Sequence, residues 1–288
     1  MSQLKILTTQ EIKAFDAPPM FTAEGRKCFF YISKHARSIL NSLRTPTNQV
    51  GFLLQLGYFK AVNKFFHPSS FPFADLKYVQ KKLNLSAEEI ALGDYTDSTY
   101  KRHRNIILEE LGYKSFDSKK GQFKREAACL CRKLVSPRNV FNELNTFLRW
   151  EKIEIPKYNS FADVISEALK TFEKSILINL NKQLDDTLME SFDSLLEKTN
   201  DTDNMIKLKQ YRLTQLKKSS QSTRPLKIKE NIDDLKFLED LFYKTEKLKK
   251  KLNLSDRLIE YYAQIVIKSQ SQQTEHRKES KYLYLLSF

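Results

Sequence analysis

Eleven lysines and arginines stand between residues 98 and 138: Lys101, Arg102, Arg104, Lys114, Lys119, Lys120, Lys124, Arg125, Arg132, Lys133 and Arg138. Four carboxylates oppose them, Glu109, Glu110, Asp117 and Glu126, so +7 of the chain's +14 lies in about a seventh of its length. The chemistry open to such a cluster is phosphate neutralisation, in which each contacted phosphate releases condensed counterions. Arginine can also read guanine edges, and Gln122 or Asn139 nearby can read adenine. The expected DNA-contacting set is this group without Lys114 and with His103, which sits between Arg102 and Arg104. A solvated face with no ligand is the competing reading. Tyr95, Tyr100 and Tyr113 interleave with the cations; they either stack on bases or, as suits a helical bundle better, are buried.

Other chemistries find little support. There is no Gly-rich phosphate loop, His-Glu-x-x-His or Gly-x-Ser-x-Gly, and Asp185-Asp186 and Asp233-Asp234 fall on expected helices, where adjacent side chains point apart. Cys28, Cys129 and Cys131 lack disulfide-framework spacing, and His35, His67, His103 and His276 do not complete a zinc site with them. No catalytic residue, metal, cofactor or small-molecule ligand is therefore expected.

The elements that must carry the cluster are helical. Glycines number only 6 in 288 residues, and Leu, Ile, Lys and Glu recur at spacings of three and four. The expected class is all-α: helix-turn-helix-like bundles first, then longer amphipathic helices. Thr8-x-x-Glu11, Thr45-Pro46, Ser86-x-x-Glu89 and Ser136-Pro137 predict helix starts near residues 9, 46, 87 and 137. One long helix is expected over Ala23–Leu43, a second near Thr47–Val62, short ones near Ala74–Leu83 and Ala87–Leu92, and further helices over Ser98–Leu111, after Ser118 and after Ser136 to about Trp150. The segment 153–160, with Pro156, reads as a hinge. Domains follow as 1–155, a basic DNA-binding region with a subdomain split near 67–72 or 93–97, and 156–288, a helical linker or dimerisation region. Glu197–Asn204 reads as a turn and Lys217–Arg224 as an exposed linker.

Charge follows the same division. Residues 1–158 hold 26 Lys+Arg against 15 Asp+Glu, and residues 159–288 hold 23 against 20. An excess concentrated in one half is what a phosphate-facing surface needs. No run approaches the roughly 18 apolar residues of a membrane span, and Met1–Gln10 lacks the order of a signal peptide. A cytoplasmic, nucleoid-associated protein with no membrane partner is expected.

Three strings carry a resemblance. They are Ile6-Leu7-Thr8; Asn48-Gln49-Val50-Gly51-Phe52-Leu53-Leu54-Gln55-Leu56-Gly57-Tyr58-Phe59; and Arg102-His103-Arg104 followed by Leu111-Gly112-Tyr113-Lys114-Ser115-Phe116. In this order they resemble the N-terminal region of bacterial replicative transposases of the Tn-three family, with looser similarity through most of the remaining chain. Gly57 and Tyr58 depart from the pattern, where an apolar residue or Cys is expected. The resemblance implies sequence-specific binding of duplex DNA at transposon terminal inverted repeats, with a homodimer formed through the C-terminal half. It also implies a piece truncated before the acidic-triad catalytic domain, which by itself neither cuts nor joins strands. The alternatives are a helical adaptor that binds an acidic protein partner and a non-specific DNA-binding regulator of transposition.

Overall fold

The computed structural model describes residues 6–134, 136–200, 209–217, 224–277 and 280–287. Residues 201–204 of the expected turn, 218–223 of the expected linker and the first five of the Met1–Gln10 segment lie outside the described residues. The chain is all-α, with one two-stranded ribbon among the described residues. It forms two compact units, Met1–Leu169 and Lys170–Phe288. This division falls later than the boundary expected at 155/156. The segment read as a hinge contributes Ile153, Ile155 and Tyr158 to the first unit's core.

Capping chemistry sets most helix starts. Glu11 N–H donates to Thr8 Oγ1 and Thr8 N–H to the Glu11 carboxylate, the reciprocal pair that opens α1 (Thr9–Asp16). The single helix expected over Ala23–Leu43 is instead α2 (Ala23–Phe29) and α3 (Lys34–Ser42). Ala36 N–H donates to Ser33 Oγ, so Ser33 restarts the helix, and the break lets the fully buried Phe30 ring meet Tyr58 edge-on at 5.9 Å.

α4 (Pro46–Val62) starts at Thr45-Pro46 as expected and is buried on every side from Val50 to Phe59, the mark of a central helix. Its glycines make room for neighbours: a Cβ on Gly51 would lie 2.3 Å from the Tyr95 ring, and one on Gly57 would lie 2.3 Å from the Phe30 ring. Tyr58 Oη donates to the buried Asp75, which also takes Arg26 Nε at 2.7 Å. The Gly57-Tyr58 departure from the transposase pattern is thus built into this core.

α5 (Phe73–Leu83) packs on α4. The helix expected over Ala87–Leu92 is replaced by two 3₁₀ turns, Ala87–Glu89 and Leu92–Asp94. Ser86 N–H does donate to the Glu89 carboxylate at 2.6 Å, but Ala91 N–H goes to Thr47 Oγ1 on α4 and leaves the helical ladder. α6 (Asp97–Leu111) buries Ile107 and Leu108 in the core around α4. α7 (Phe116–Lys133), α8 (Pro137–Trp150) and the first part of α9 (Tyr158–Gln183) build a second core with α1. There the Phe161 ring lies 5.8 Å from Phe15 and 5.2 Å from Phe123, both edge-on. The two cores of the first unit meet at the α6–α7 connection, not at 67–72 or 93–97.

The second unit, into which α9 runs, holds α10 (Asp186–Leu195), α11 (Arg212–Leu216), α12 (Pro225–Leu252), α13 (Asp256–Lys268), α14 (Ser271–Glu275) and α15 (Lys281–Ser287). The ribbon β1 (Lys198–Asn200) and β2 (Lys209–Tyr211) is antiparallel and was not expected. α13 and α15 pack through Tyr262 and Tyr284, whose rings are 4.8 Å apart. No helix among the described residues is long and apolar enough to cross a membrane.

Candidate nucleic-acid interface

The basic stretch folds as helix, turn and helix. α6 ends on Gly112 at φ +66°, a conformation that glycine adopts without strain, and Tyr113 N–H closes the end by donating to Leu108 O at 2.8 Å. Ser115 then accepts from Ser118 N–H and starts α7, so the connection is residues 112–115. A short turn containing glycine is the linkage of helix-turn-helix motifs.

This turn is pinned from below. Lys114 N–H donates to Lys152 O and Glu154 N–H to Lys114 O, a single parallel bridge between residues distant in sequence. The buried Glu154 carboxylate accepts from Phe116 N–H at the head of α7 and from both Nε and Nη2 of Arg104 on α6. Ile155 N–H reaches Asn63 O at the end of α4, and Tyr158 N–H reaches Asp16 at 3.0 Å. Asp16 also holds the buried Lys64, whose ammonium is pushed down to about 8 by burial against the opposing pull of Asp16. α6 and α7 are therefore fixed to one polar seam.

On α7, Phe116, Phe123, Ala127 and Cys131 face the core. Helical spacing puts Gly121, Arg125, Ala128 and Arg132 on the opposite side. A Cβ on Gly121 would meet only Arg125 Nη1, at 3.8 Å, so this side is open. Lys120 and Lys133 are also exposed, Lys119 is half-buried, and Lys101 and Arg102 are exposed on α6. Among the described residues none of these seven has a carboxylate within salt-bridge distance, while the other members of the expected set are committed elsewhere. Arg104 is bound to Glu154, Lys124 pairs with Glu167 at 2.8 Å, and Arg138 pairs with Glu11.

His103 is corrected outright. It is fully buried, with Nδ1 2.8 Å from Tyr95 Oη, its ring edge-on to Phe52 at 5.4 Å, and no partner for Nε2 among the described residues. Tyr95 is buried with it, whereas Tyr100 and Tyr113 are half-buried. Of the expected base readers, Gln122 turns inward to Glu151 at 3.3 Å and Asn139 stays exposed.

Burial, with a smaller contribution from the nearby Arg102 charge, lowers the His103 pKa to about 4. The unfolded residue takes its proton near 6.5 and the folded one only near 4, so its contribution is intact above 6.5 and lost as pH falls through that window. Relative to His103→Gln, the native protein should lose about 3 kcal/mol more stability between pH 7 and pH 4. Urea midpoints at both pH values measure this; parallel losses in the two proteins would refute a neutral, buried imidazole.

Sequence reasoning missed Glu154 and Lys64, the buried charges that hold the seam. The alternation Ile153-Glu154-Ile155, with a carboxylate flanked by two apolar residues, was the available sign of a packed extended segment. Among the described residues no three His, Cys, Asp or Glu side chains gather as a metal-holding group. Residues 6–168 match DUF4158, described as a domain of unknown function and commonly found in transposase N-terminal regions. No curated protein matches the chain.

Proposed function

We propose, from the premise that this chain belongs to the DUF4158 family, that its first unit binds double-stranded DNA through α6, the 112–115 turn and the outward side of α7. The observation that carries this reading is the set of seven cations, Lys101, Arg102, Lys119, Lys120, Arg125, Arg132 and Lys133, left without carboxylate partners among the described residues. A solvated helix face gains nothing from such crowding of like charge, whereas a polyanion repays it by counterion release. Gly121 and Ala128 leave the backbone of α7 close to whatever lies against it, as a helix entering a major groove requires.

The resemblance to Tn-three transposases supports a narrower reading. The duplex is a transposon's terminal inverted repeat, and the role is recognition, without cleavage or transfer by this chain alone. Arg125 and Arg132 are the side chains best placed to meet base edges, and the lysines to meet phosphates.

A labelled inverted repeat and a scrambled duplex, titrated by fluorescence anisotropy across a salt series, test both levels. The repeat should bind about a hundredfold more tightly, with log affinity falling against log salt at a slope of roughly −4 to −6. Equal binding to both duplexes would remove sequence recognition. No binding at low salt would remove DNA as the ligand.

A further inference from the structure

The chain's only tryptophan, Trp150, is 85% exposed at the end of α8. An indole held in water is an unusual placement for the largest apolar side chain. Arg149, Lys152 and Lys157 are exposed beside it in sequence, and Lys114 is backbone-bonded to Lys152 and Glu154. None of these four cations has a carboxylate within salt-bridge distance among the described residues.

The backbone at Lys152 is a second sign. α8 closes with Lys152 N–H donating to Arg149 O and Ile153 N–H to Leu148 O, the pattern that puts the residue after the cap in the left-handed region. Where the chain adopts positive φ elsewhere among the described residues it uses Asn63, Asn84, Asn253 or Gly112; here it uses a lysine at φ 51°. The cation stands at a position whose backbone favours glycine or asparagine. No other large apolar side chain is exposed between residues 114 and 160 among the described residues, so Trp150 is the one large apolar group that this stretch of chain presents to solvent.

We propose that the end of α8 is a stacking platform for an unpaired nucleobase. Trp150 lies against the base, and Arg149, Lys152, Lys157 and Lys114 hold the phosphates on either side of it. The inference rests on the reading that the first unit binds DNA and deepens it: Lys114 belongs to the α6–α7 turn, so a strand leaving a duplex on α7 would pass this platform. An indole cannot stack on a base inside an intact duplex. The ligand is therefore a single-stranded extension beyond the duplex.

Because the protein has one tryptophan, its emission reports this position alone. The full chain is titrated with a blunt duplex, the same duplex carrying a short single-stranded extension, and the single strand alone. The extension should quench the emission and the blunt duplex should not. Trp150→Ala should weaken the extended duplex about five- to a hundredfold and leave the blunt duplex unchanged, with Trp150→Phe intermediate. Unquenched emission on a saturated extended duplex, or equal weakening of both duplexes by Trp150→Ala, would overturn the platform while the duplex reading stands. Quenching by the single strand without blunt-duplex binding would retain the platform and remove the duplex site. No binding of any probe at low salt would end both.

Discussion

Alanine at Arg102, Lys120, Arg125 and Arg132 together is expected to weaken duplex binding about a thousandfold at about 0.1 M salt, with no change in thermal stability. Each of the four is exposed and without an ion-pair partner among the described residues. Removing each one forfeits a charge-assisted phosphate interaction worth about 1 kcal/mol at a solvated surface. The salt slope should fall in step, by about 0.9 for each phosphate no longer neutralised. The control is a second variant with the same loss of formal charge per site, Lys124→Ala with Arg138→Ala. Those two already serve Glu167 and Glu11, so duplex affinity should change by less than about threefold. If the two variants lose affinity in proportion to the number of charges removed, the protein acts on DNA through its overall field and not through a surface on α6 and α7.

Glu154→Ala is expected to cost about 3–5 kcal/mol of unfolding free energy, the largest stability effect of any single change at the seam. Its side chain is 6% exposed and that of Arg104 21%, so truncation leaves the guanidinium only the longer pair with the exposed Asp117, at 3.5 Å, and leaves Phe116 N–H without its acceptor. Glu154→Gln keeps an acceptor for Phe116 N–H and should cost about half as much. Urea denaturation followed by circular dichroism separates the two; a loss below about 1 kcal/mol for the alanine variant would mean that solvent replaces the carboxylate freely. Because Glu154 joins Arg104 on α6 to the head of α7, the glutamine variant should also bind duplex more weakly than the native protein at temperatures where it remains folded.

The cluster's composition was legible in the sequence, but its commitments were not. Arg104, Lys124 and Arg138 are spent on carboxylates 50, 43 and 127 residues away, separations that no local pattern encodes. His103 sits between two arginines in sequence, yet its neighbours along a helix point elsewhere and its own direction is inward. Helix starts were legible at α1 and α4, where a capping hydroxyl coincides with a glutamate or a proline, and at α8, where Pro137 opens the helix without a side-chain cap bond from Ser136; the same kind of signal at Ser86-x-x-Glu89 opens only a 3₁₀ turn. The break between α2 and α3 was hidden because Phe29, Phe30 and Ile32 keep helical spacing across it, while the deciding feature is the packing of the Phe30 ring on Gly57. Pro156 suggested a hinge, but Glu154 and Ile155 just before it bind the backbone of Lys114 and Asn63, and Ile153 and Ile155 are buried in the core, so the proline stiffens a packed segment.

The second core of the first unit also dictates an order of events on the ribosome. Apart from the adjacent Ile6 and Leu7, every buried residue of that core lies at or beyond Phe116; Lys64 can bind Phe15 O and Asp16 early, but the Phe15 ring waits for Phe141 and Phe161. The core around α4 draws on residues 30–108 and can close as soon as α6 has emerged. At roughly 5–20 residues per second, α1 spends on the order of ten seconds as a nascent helix with a bare apolar side before its pocket exists. Chaperone engagement during synthesis should accordingly concentrate on α1, and a ribosome stalled just short of Tyr158 would display a finished first core with the apolar side of α1 still bare.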